Sequence, residues 1–444
     1  MTSRPLRVMI DGFNLALEKG TGVATYGRNL SFVCRELGHH VDILYGKQAR
    51  LEKSPLLTDI HFFDKPVARG RLSETLATVQ SVVPRPFGVP SFEVPMGGDV
   101  ILRGRQGQLP HFDAIWNAPD LFRAAEAYFW LTGGMTKVKH SQSVDIAHWT
   151  YPLPVRLPGA VNIYTLHDLV PLRLPYTTLD NKAYYLRLMR KLVREADHIV
   201  TVSETSRNDI IRLLDCPEDK VTNTYQSVQL PAELLAKNEE QVRAEIEGAF
   251  GLKYKEYLLF FGAIEPKKNV GRLIEAYLSS GIKMPLVLIG SKAWKSDEEL
   301  KLLTASAQRA VDKNADTSAA ARIRHFDYAP LSLLVSAIRG ARATIFPSLY
   351  EGFGLPIIES MILGTPVVTS REGATAEIAG DAALLVDPYD VGDIGAALKK
   401  ISSDNELAAR LTEAGLAQAL KYSYERHAER LNKLHSRLIN ARAG

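Results

Sequence analysis

Two carboxylates bracket a glycine-rich turn in the segment FPSLYEGFGLPIIESMILGTPVVTS, residues 346–370: Glu351 precedes Gly352-Phe353-Gly354 and Glu359 follows it. Gly352 and Gly354 permit positive φ angles and close backbone approach. Pro356 suits the first turn of a helix, where its missing N–H would have had no partner. The preceding run ATIFPS predicts a strand ending near Ser348 at the carboxyl edge of a sheet. The amides of Gly354 and Leu355 are then free at a helix start, where the dipole favours an anion such as phosphate. Glu359 is expected in the first helical turn, away from the apolar face of Ile358, Met361 and Ile362, where it would accept two hydrogen bonds from a vicinal diol such as ribose. Glu351 would reach hydroxyls on the far side of the phosphates. A sugar, a diphosphate and a ribose in a row fit this spacing.

Other groups complete that chemistry. EPKKN, Glu265 to Asn269, follows the apolar run LLFFGAI, so Lys267 and Lys268 would sit at a strand's carboxyl end, able to neutralise a departing diphosphate. YTLHDLVPLRLP places His167 and Asp168 at another strand end. That pair is either a base with its orienter or a strand-ending turn. Gly20 and Gly22, before an amphipathic helix, form a second anion-friendly turn. It is no dinucleotide fingerprint, because the next glycine, Gly27, lies too far along. Ser203 in TVSETSRNDI reads as a helix cap, with Arg207 one turn later. No histidine or carboxylate cluster has metal-ligand spacing, and Asn314-Ala315-Asp316 reads as polar loop, so no metal and no cofactor are expected.

The elements that must position these groups are short apolar strands alternating with helices. LRVMI, HVDILY, VDIAHW, AVNIYTLHD, DHIVTVSE and KVTNTYQ lie in the first half; YLLFFGAI, PLVLIG, RIRHFDY, ATIFPS, PVVTS and ALLVDP lie in the second. Runs apolar on both faces and separated by helices read as parallel sheets covered on both sides. The predicted fold is α/β, with two doubly wound domains facing a central cleft, where such sheets bind ligands at their strands' carboxyl ends. Residues 1–230 form the first domain, 231–255 a charged linker, 256–420 the second domain, and 421–444 a helix that either closes the second domain or packs back on the first. Residues 46–143 do not alternate cleanly and elaborate the first domain. Within them DLFRAAEAYFWL reads as a helix with Asp120 as N-cap, packed on the domain or presenting aromatics to an acceptor or a membrane.

Composition excludes other classes. A length of 444 residues implies more than one core, and a net charge of +4 leaves no nucleic-acid footprint. Two cysteines, Cys34 and Cys216, exclude a disulfide scaffold or a thiolate metal cluster. No apolar run approaches the ~20 residues that span a bilayer. MTSRPLRVMIDG enters a strand directly without a signal peptide's apolar stretch. The expected location is cytoplasmic, with any membrane contact peripheral, at the inner face of the plasma membrane.

Glu351, seven intervening residues and Glu359 resemble the E-x7-E signature of retaining glycosyltransferases of the GT4 family, and YEGFGLPIIESMILGTPVVTS resembles that family nearly throughout. The resemblance spans most of the chain, weakening at 46–143, and implies the GT-B fold. It implies that Lys268 contacts the donor phosphates and that His167 lies by the donor sugar near its anomeric centre. The basic residue usual after the glycine is Ala263 here. GAIEPKKN instead is similar to a variant of bacterial mannosyltransferases that would give Lys267 that role. Relatives place a glycine-rich loop near Gly22, and contact the base where HFDYAP puts His325 and Phe326. The resemblance further implies attack by an acceptor hydroxyl on the leaving-group face, no protein nucleophile and no metal. The expected function is hexosyl transfer, most readily of mannose, in polysaccharide or lipopolysaccharide synthesis. The donor is a nucleotide sugar, with GDP-mannose favoured over UDP- and other GDP-sugars, and the acceptor a glycan or lipid-linked glycan. A GT-B-fold sugar-nucleotide epimerase and a non-catalytic nucleotide-sugar-binding protein are the alternatives; release of GDP or UDP with and without acceptor separates them.

Overall fold

In the second half, LLFF, LVLI, ATIF and VVTS are buried at every residue. Such runs are stable only as central strands covered on both faces. The computed structural model, which describes residues 4–16, 22–64, 88–96, 109–302 and 322–443, joins them in one six-stranded parallel sheet. Its spatial order is Ile323–Phe326, Leu286–Ile289, Leu258–Phe261, Ala343–Phe346, Val367–Ser370 and Leu384–Val386. The order reverses between Leu258–Phe261 and Ala343–Phe346, which opens a crevice at their carboxyl ends.

The first half repeats the plan. Val221–Asn223, His198–Thr201, Val161–Thr165, Ile146–Trp149, Arg7–Asp11, His40–Tyr45 and Ala114–Asn117 run parallel in that order, and Phe92–Glu93 adds an antiparallel edge. Here the reversal lies between Arg7–Asp11 and Ile146–Trp149. Both doubly wound sheets expected from the sequence are present.

The elaborated region holds two departures. Ala114–Asn117 (AIWN) is a full member of the sheet that apolar-run reading misses, because its last residue is polar. Asn117 is buried yet satisfied: its amide donates to the Lys47 and Ala49 carbonyls at 3.2 and 2.8 Å and its oxygen accepts from Lys47 N at 2.9 Å. Asp120 takes the expected N-cap position but not by the expected chemistry. It adopts the left-handed region (φ 54°), its side chain makes no cap hydrogen bond and it pairs with Arg123 at 3.1 Å. The helix it precedes, Leu121–Thr132, buries Leu121, Phe122, Ala125 and Phe129 against the domain, while Trp130 and Leu131 stay exposed.

The last helix, Tyr424–Ala443, lies against the first domain. Arg437 donates to Thr222 Oγ1 at 3.0 Å, Arg442 to the Gly159 carbonyl, and the His435 ring stacks on His39 at 5.7 Å. His427 of this helix and His148 of the sheet beneath it flank Tyr26. Burial depresses both imidazoles, His148 to about 3 and His427 to about 4, with repulsion from His427 and His167 lowering His148 further. The native state therefore binds these protons less readily than the unfolded chain, whose histidines titrate near pH 6.5. Their stabilising contribution is whole above about pH 6.5 and is lost as pH falls towards 4, by about 2 kcal/mol per residue at pH 5. The thermal midpoint should drop steeply between neutral pH and about pH 5, less so in His427→Gln; a flat profile would contradict this account.

Candidate functional site

The lysine and glutamate loops meet where the second sheet reverses. The chain leaving Leu258–Phe261 makes a short 3-10 turn, Pro266–Lys268, ended by Asn269 in the left-handed region (φ 62°), which Asn tolerates better than most residues. Asn269 is buried and donates from one amide nitrogen to the Pro347 and Pro388 carbonyls at 2.9 and 2.6 Å. Leu349 N donates to the Lys267 carbonyl at 2.8 Å. These bonds hold the lysine loop against the glutamate loop and bring Lys268 Nζ to 2.5 Å from Glu351 Oε1.

Both members of this pair are nearly enclosed, with side-chain exposures of 15% and 10%. Burial alone would push the Glu351 carboxyl up. Lys268, Lys267 and the Ser348 hydroxyl outweigh it and hold the group below the ordinary carboxylate range. Burial likewise opposes the charge on Lys267, but Glu351, Asp168 and Glu265 overcome it and raise that ammonium. Both groups are ionised at neutral pH. The two lysines thus differ in role: Lys268 neutralises Glu351, while Lys267 lies 3.5 Å from Glu265 and faces the cleft.

Helix Leu355–Ile362 starts at Gly354, whose φ of 106° suits glycine; Gly352 serves a different need. A Cβ on Gly352 would stand 2.5 Å from the His167 carbonyl oxygen, so the turn is pressed against the opposite domain. Phe353 is buried edge-on against Tyr422. Glu359 lies in the second turn rather than the expected first, because the helix begins at Leu355. It is half-buried. Burial raises its carboxyl to about 7, with Lys268 pulling only partly downward. Among the described residues its carboxyl has no hydrogen-bond or ion-pair partner, so the acceptor capacity of those oxygens is open to a ligand.

Across the cleft, His167 and Asp168 follow Val161–Thr165. The sequence left a base with its orienter or a turn, and the geometry separates the two residues. Asp168 Oδ1 accepts from Val170 N at 3.1 Å, which makes it the strand-ending turn. The His167 ring is held by the Thr150 carbonyl, 3.0 Å from Nε2, and by the edge-on ring of Tyr26 at 4.9 Å. Burial lowers the imidazole, with the Thr150 carbonyl and Asp168 resisting. A neutral ring with its proton on Nε2 satisfies that carbonyl. Sequence reading missed the group behind it: buried Asp11, at the end of the first strand, accepts from Thr150 N and from Phe13 N, the latter at 3.2 Å. Its signal was an acid closing the apolar run LRVMID. Gly22 begins helix Gly22–Glu36, and a Cβ there would lie 3.3 Å from Leu355 Cδ1, so two helix starts meet across the cleft. Gly20 and residues 314–316 lie outside the described residues.

A cavity of about 210 Å3 lies between the halves, lined by Val23, Tyr151, His167, Asp168, Asp180, Tyr185 and Lys267. Beside it a concavity of about 380 Å3 includes Thr178, Asp180, Glu265, Lys267 and Trp294. A further concavity of about 570 Å3, flanked by Arg187, Arg190 and Arg194 on helix Lys182–Glu195, contains none of these groups. His325 and Phe326 stand on the edge strand, two strands from the one that leads to Lys268. His325 Nε2 lies 2.9 Å from the Gly290 carbonyl and Phe326 packs edge-on against Phe250, so both rings have protein partners. Ser203 caps helix Glu204–Leu214, accepting from Ser206 N at 3.1 Å. Among the described residues no group of His, Cys, Asp or Glu could hold a metal ion, and no helix is long and apolar enough to cross a membrane.

Paired doubly wound domains with a glycine-led helix start, a lysine pair and two glutamates at the cleft have the architecture of a glycosyltransferase of the GT-B fold. Residues 242–418 match the family model described as glycosyl transferases group 1, and residues 94–229 match glycosyltransferase family 4. The chain is 32% identical to the O-antigen chain mannosyltransferase B of Escherichia coli over 278 residues, 62% of this chain and 69% of that protein. It is 27% identical to the serotype-specific mannosyltransferase WbdA of Escherichia coli over 300 residues, 66% of this chain but 35% of that longer protein. Among solved structures, HepE of Anabaena in complex with UDP-glucose superposes with a TM-score of 0.61 at 13% identity, covering 97% of this chain and all of that one. The chain belongs to the glycosyltransferases that join a family 4 domain to a group 1 domain.

Proposed function

We propose that this glycosyltransferase moves mannose from GDP-mannose to a hydroxyl of a glycan or lipid-linked glycan, with retention of anomeric configuration and without a metal ion. The carrying observation is the buried Lys268–Glu351 salt bridge beside Lys267 and the Gly354 helix start, with the Glu359 carboxyl, which has no hydrogen-bond partner among the described residues, one turn on. As the glycosidic bond to the diphosphate stretches, charge grows on the leaving oxygens. Lys267, Lys268 and the free amides at Gly354 stabilise that charge more than the ground state, which is the condition for catalysis. Glu359 takes the ribose hydroxyls and Glu351 those of the transferred sugar. The cavity beside His167, with Tyr151, Asp180 and Tyr185, receives the acceptor, whose proton passes to the leaving diphosphate.

Mannose is supported by the names of the two relatives; UDP-glucose, held by the structural neighbour, is the competing donor class. Melting the chain with GDP-mannose, GDP, UDP-glucose and UDP decides between them. A ligand at a hundredfold excess over its Kd adds about 2.7 kcal/mol to the native state. GDP and GDP-mannose should raise the midpoint, and GDP release should require acceptor and persist in EDTA. NMR of the product should show the donor's anomeric configuration. A shift with UDP alone overturns the donor; loss of turnover in EDTA overturns metal independence; an altered nucleotide sugar formed without acceptor makes the chain an epimerase.

A further inference from the structure

Helix Glu204–Leu214 of the first domain is held at three points by the second. Its N-cap Ser203 donates through Oγ to the Gly352 carbonyl at 2.7 Å. The free amides of its first turn are taken by a residue of the other domain: the Glu377 carboxylate accepts from Glu204 N at 2.7 Å and from Thr205 N and Oγ1, both at 2.8 Å. An acid at a helix start satisfies orphan donors and complements the dipole. On its second turn, buried Asp209 accepts from Tyr350 Oη at 2.6 Å. Arg212 and Arg173 pair with Asp209 at 2.9 and 3.4 Å, and the Arg173 guanidinium also lies over the Tyr350 ring.

Two of the three ties end at or beside a group of the site. Tyr350 is the neighbour of Glu351, and Gly352 is the residue that presses on His167. From the same helix, Ser206 Oγ donates to the His167 carbonyl at 2.9 Å. One rigid element therefore contacts the backbone of the sugar-facing histidine and the backbone of the donor turn. Each domain has its own sheet, and these bonds join the two halves at the cleft.

We propose that helix Glu204–Leu214 is the strut that sets cleft closure during transfer, and that Glu377 and Tyr350 are positioning residues acting through the Gly352 turn. The proposal rests on the transfer reaction assigned above. Glu377→Ala and Tyr350→Phe leave the phosphate-facing groups intact. GDP (or UDP, if the wild-type chain takes that base) should bind each variant within about twofold of wild type. That binding also verifies folding. The kcat should fall about tenfold in each and about a hundredfold in the double variant, because small misplacements of reacting groups are costly. The donor KM should stay within about threefold. Glu377→Gln, which keeps an acceptor oxygen at the helix start, should recover part of the loss. Small-angle scattering with the nucleotide should show wild type contracting and the double variant remaining expanded. Unchanged kcat in both single variants, or a change confined to KM, overturns the strut. A variant that loses nucleotide binding together with activity also overturns it, because the contact would then serve folding. Failure of the wild-type chain to turn over any donor would instead overturn the functional reading.

Discussion

Replacing Lys268 by Ala should lower kcat about a thousandfold while leaving detectable donor binding. Two losses combine. The ammonium lies 2.5 Å from Glu351 in a site that excludes most water, so its removal strips a cation from the region where leaving-group charge grows. A single preorganised donor at such a position is worth about a hundred- to a thousandfold. The same change leaves Glu351 buried with only Lys267 as an opposite charge, and breaking a buried pair from one side costs about 3–5 kcal/mol of stability. The Glu351 carboxyl, held down by Lys268 before any other cation, would rise. The double variant Lys268→Ala/Glu351→Gln separates the effects: it should regain most of the thermal stability and none of the activity. Steady-state nucleotide release and thermal melts measure both. A single variant retaining more than a tenth of wild-type kcat would remove Lys268 from the chemistry.

Gly352→Ala should cost at least about a hundredfold in kcat for a steric reason. The added methyl would lie 2.5 Å from the His167 carbonyl oxygen and 3.1 Å from Asp168 Cβ. A backbone carbonyl that also accepts the Ser206 hydroxyl has little room to yield. The two halves must separate by about 1 Å at the point where the Gly352 turn and His167 meet, a displacement of the size that costs about a hundredfold in rate. Gly248→Ala is the control: that glycine lies inside helix Glu239–Phe250 with open space around the new methyl, so activity should be unchanged. If Gly352→Ala is as active as Gly248→Ala, the contact across the cleft does not position the reaction.

Most of the architecture was legible in the chain because it depends on local pattern. LLFF, LVLI and VVTS are apolar on both faces, which only a covered parallel strand satisfies, and alternation with helices then implies two doubly wound sheets. The local elements of the candidate site were legible for a similar reason: Gly354, Pro356 and the lysines of EPKKN lie in a turn, a helix start and a strand end, each a property of a few consecutive residues.

What only the tertiary structure decided are pairings between distant segments. His167 and Asp168 are adjacent in sequence, yet the ring is oriented by the Thr150 carbonyl while Asp168 closes a turn. Which of two adjacent lysines meets Glu351 depends on Asn269 joining two loops from opposite sides of the sheet's reversal. Ala114–Asn117 is a strand because its buried asparagine finds carbonyls of another loop, and the first turn of helix Glu204–Leu214 is satisfied by Glu377 from the other domain. The pattern of burial follows from local chemistry. The partner of a buried polar group follows from where the rest of the chain comes to lie, because such a group must be satisfied by whatever donor or acceptor the fold brings within about 3 Å.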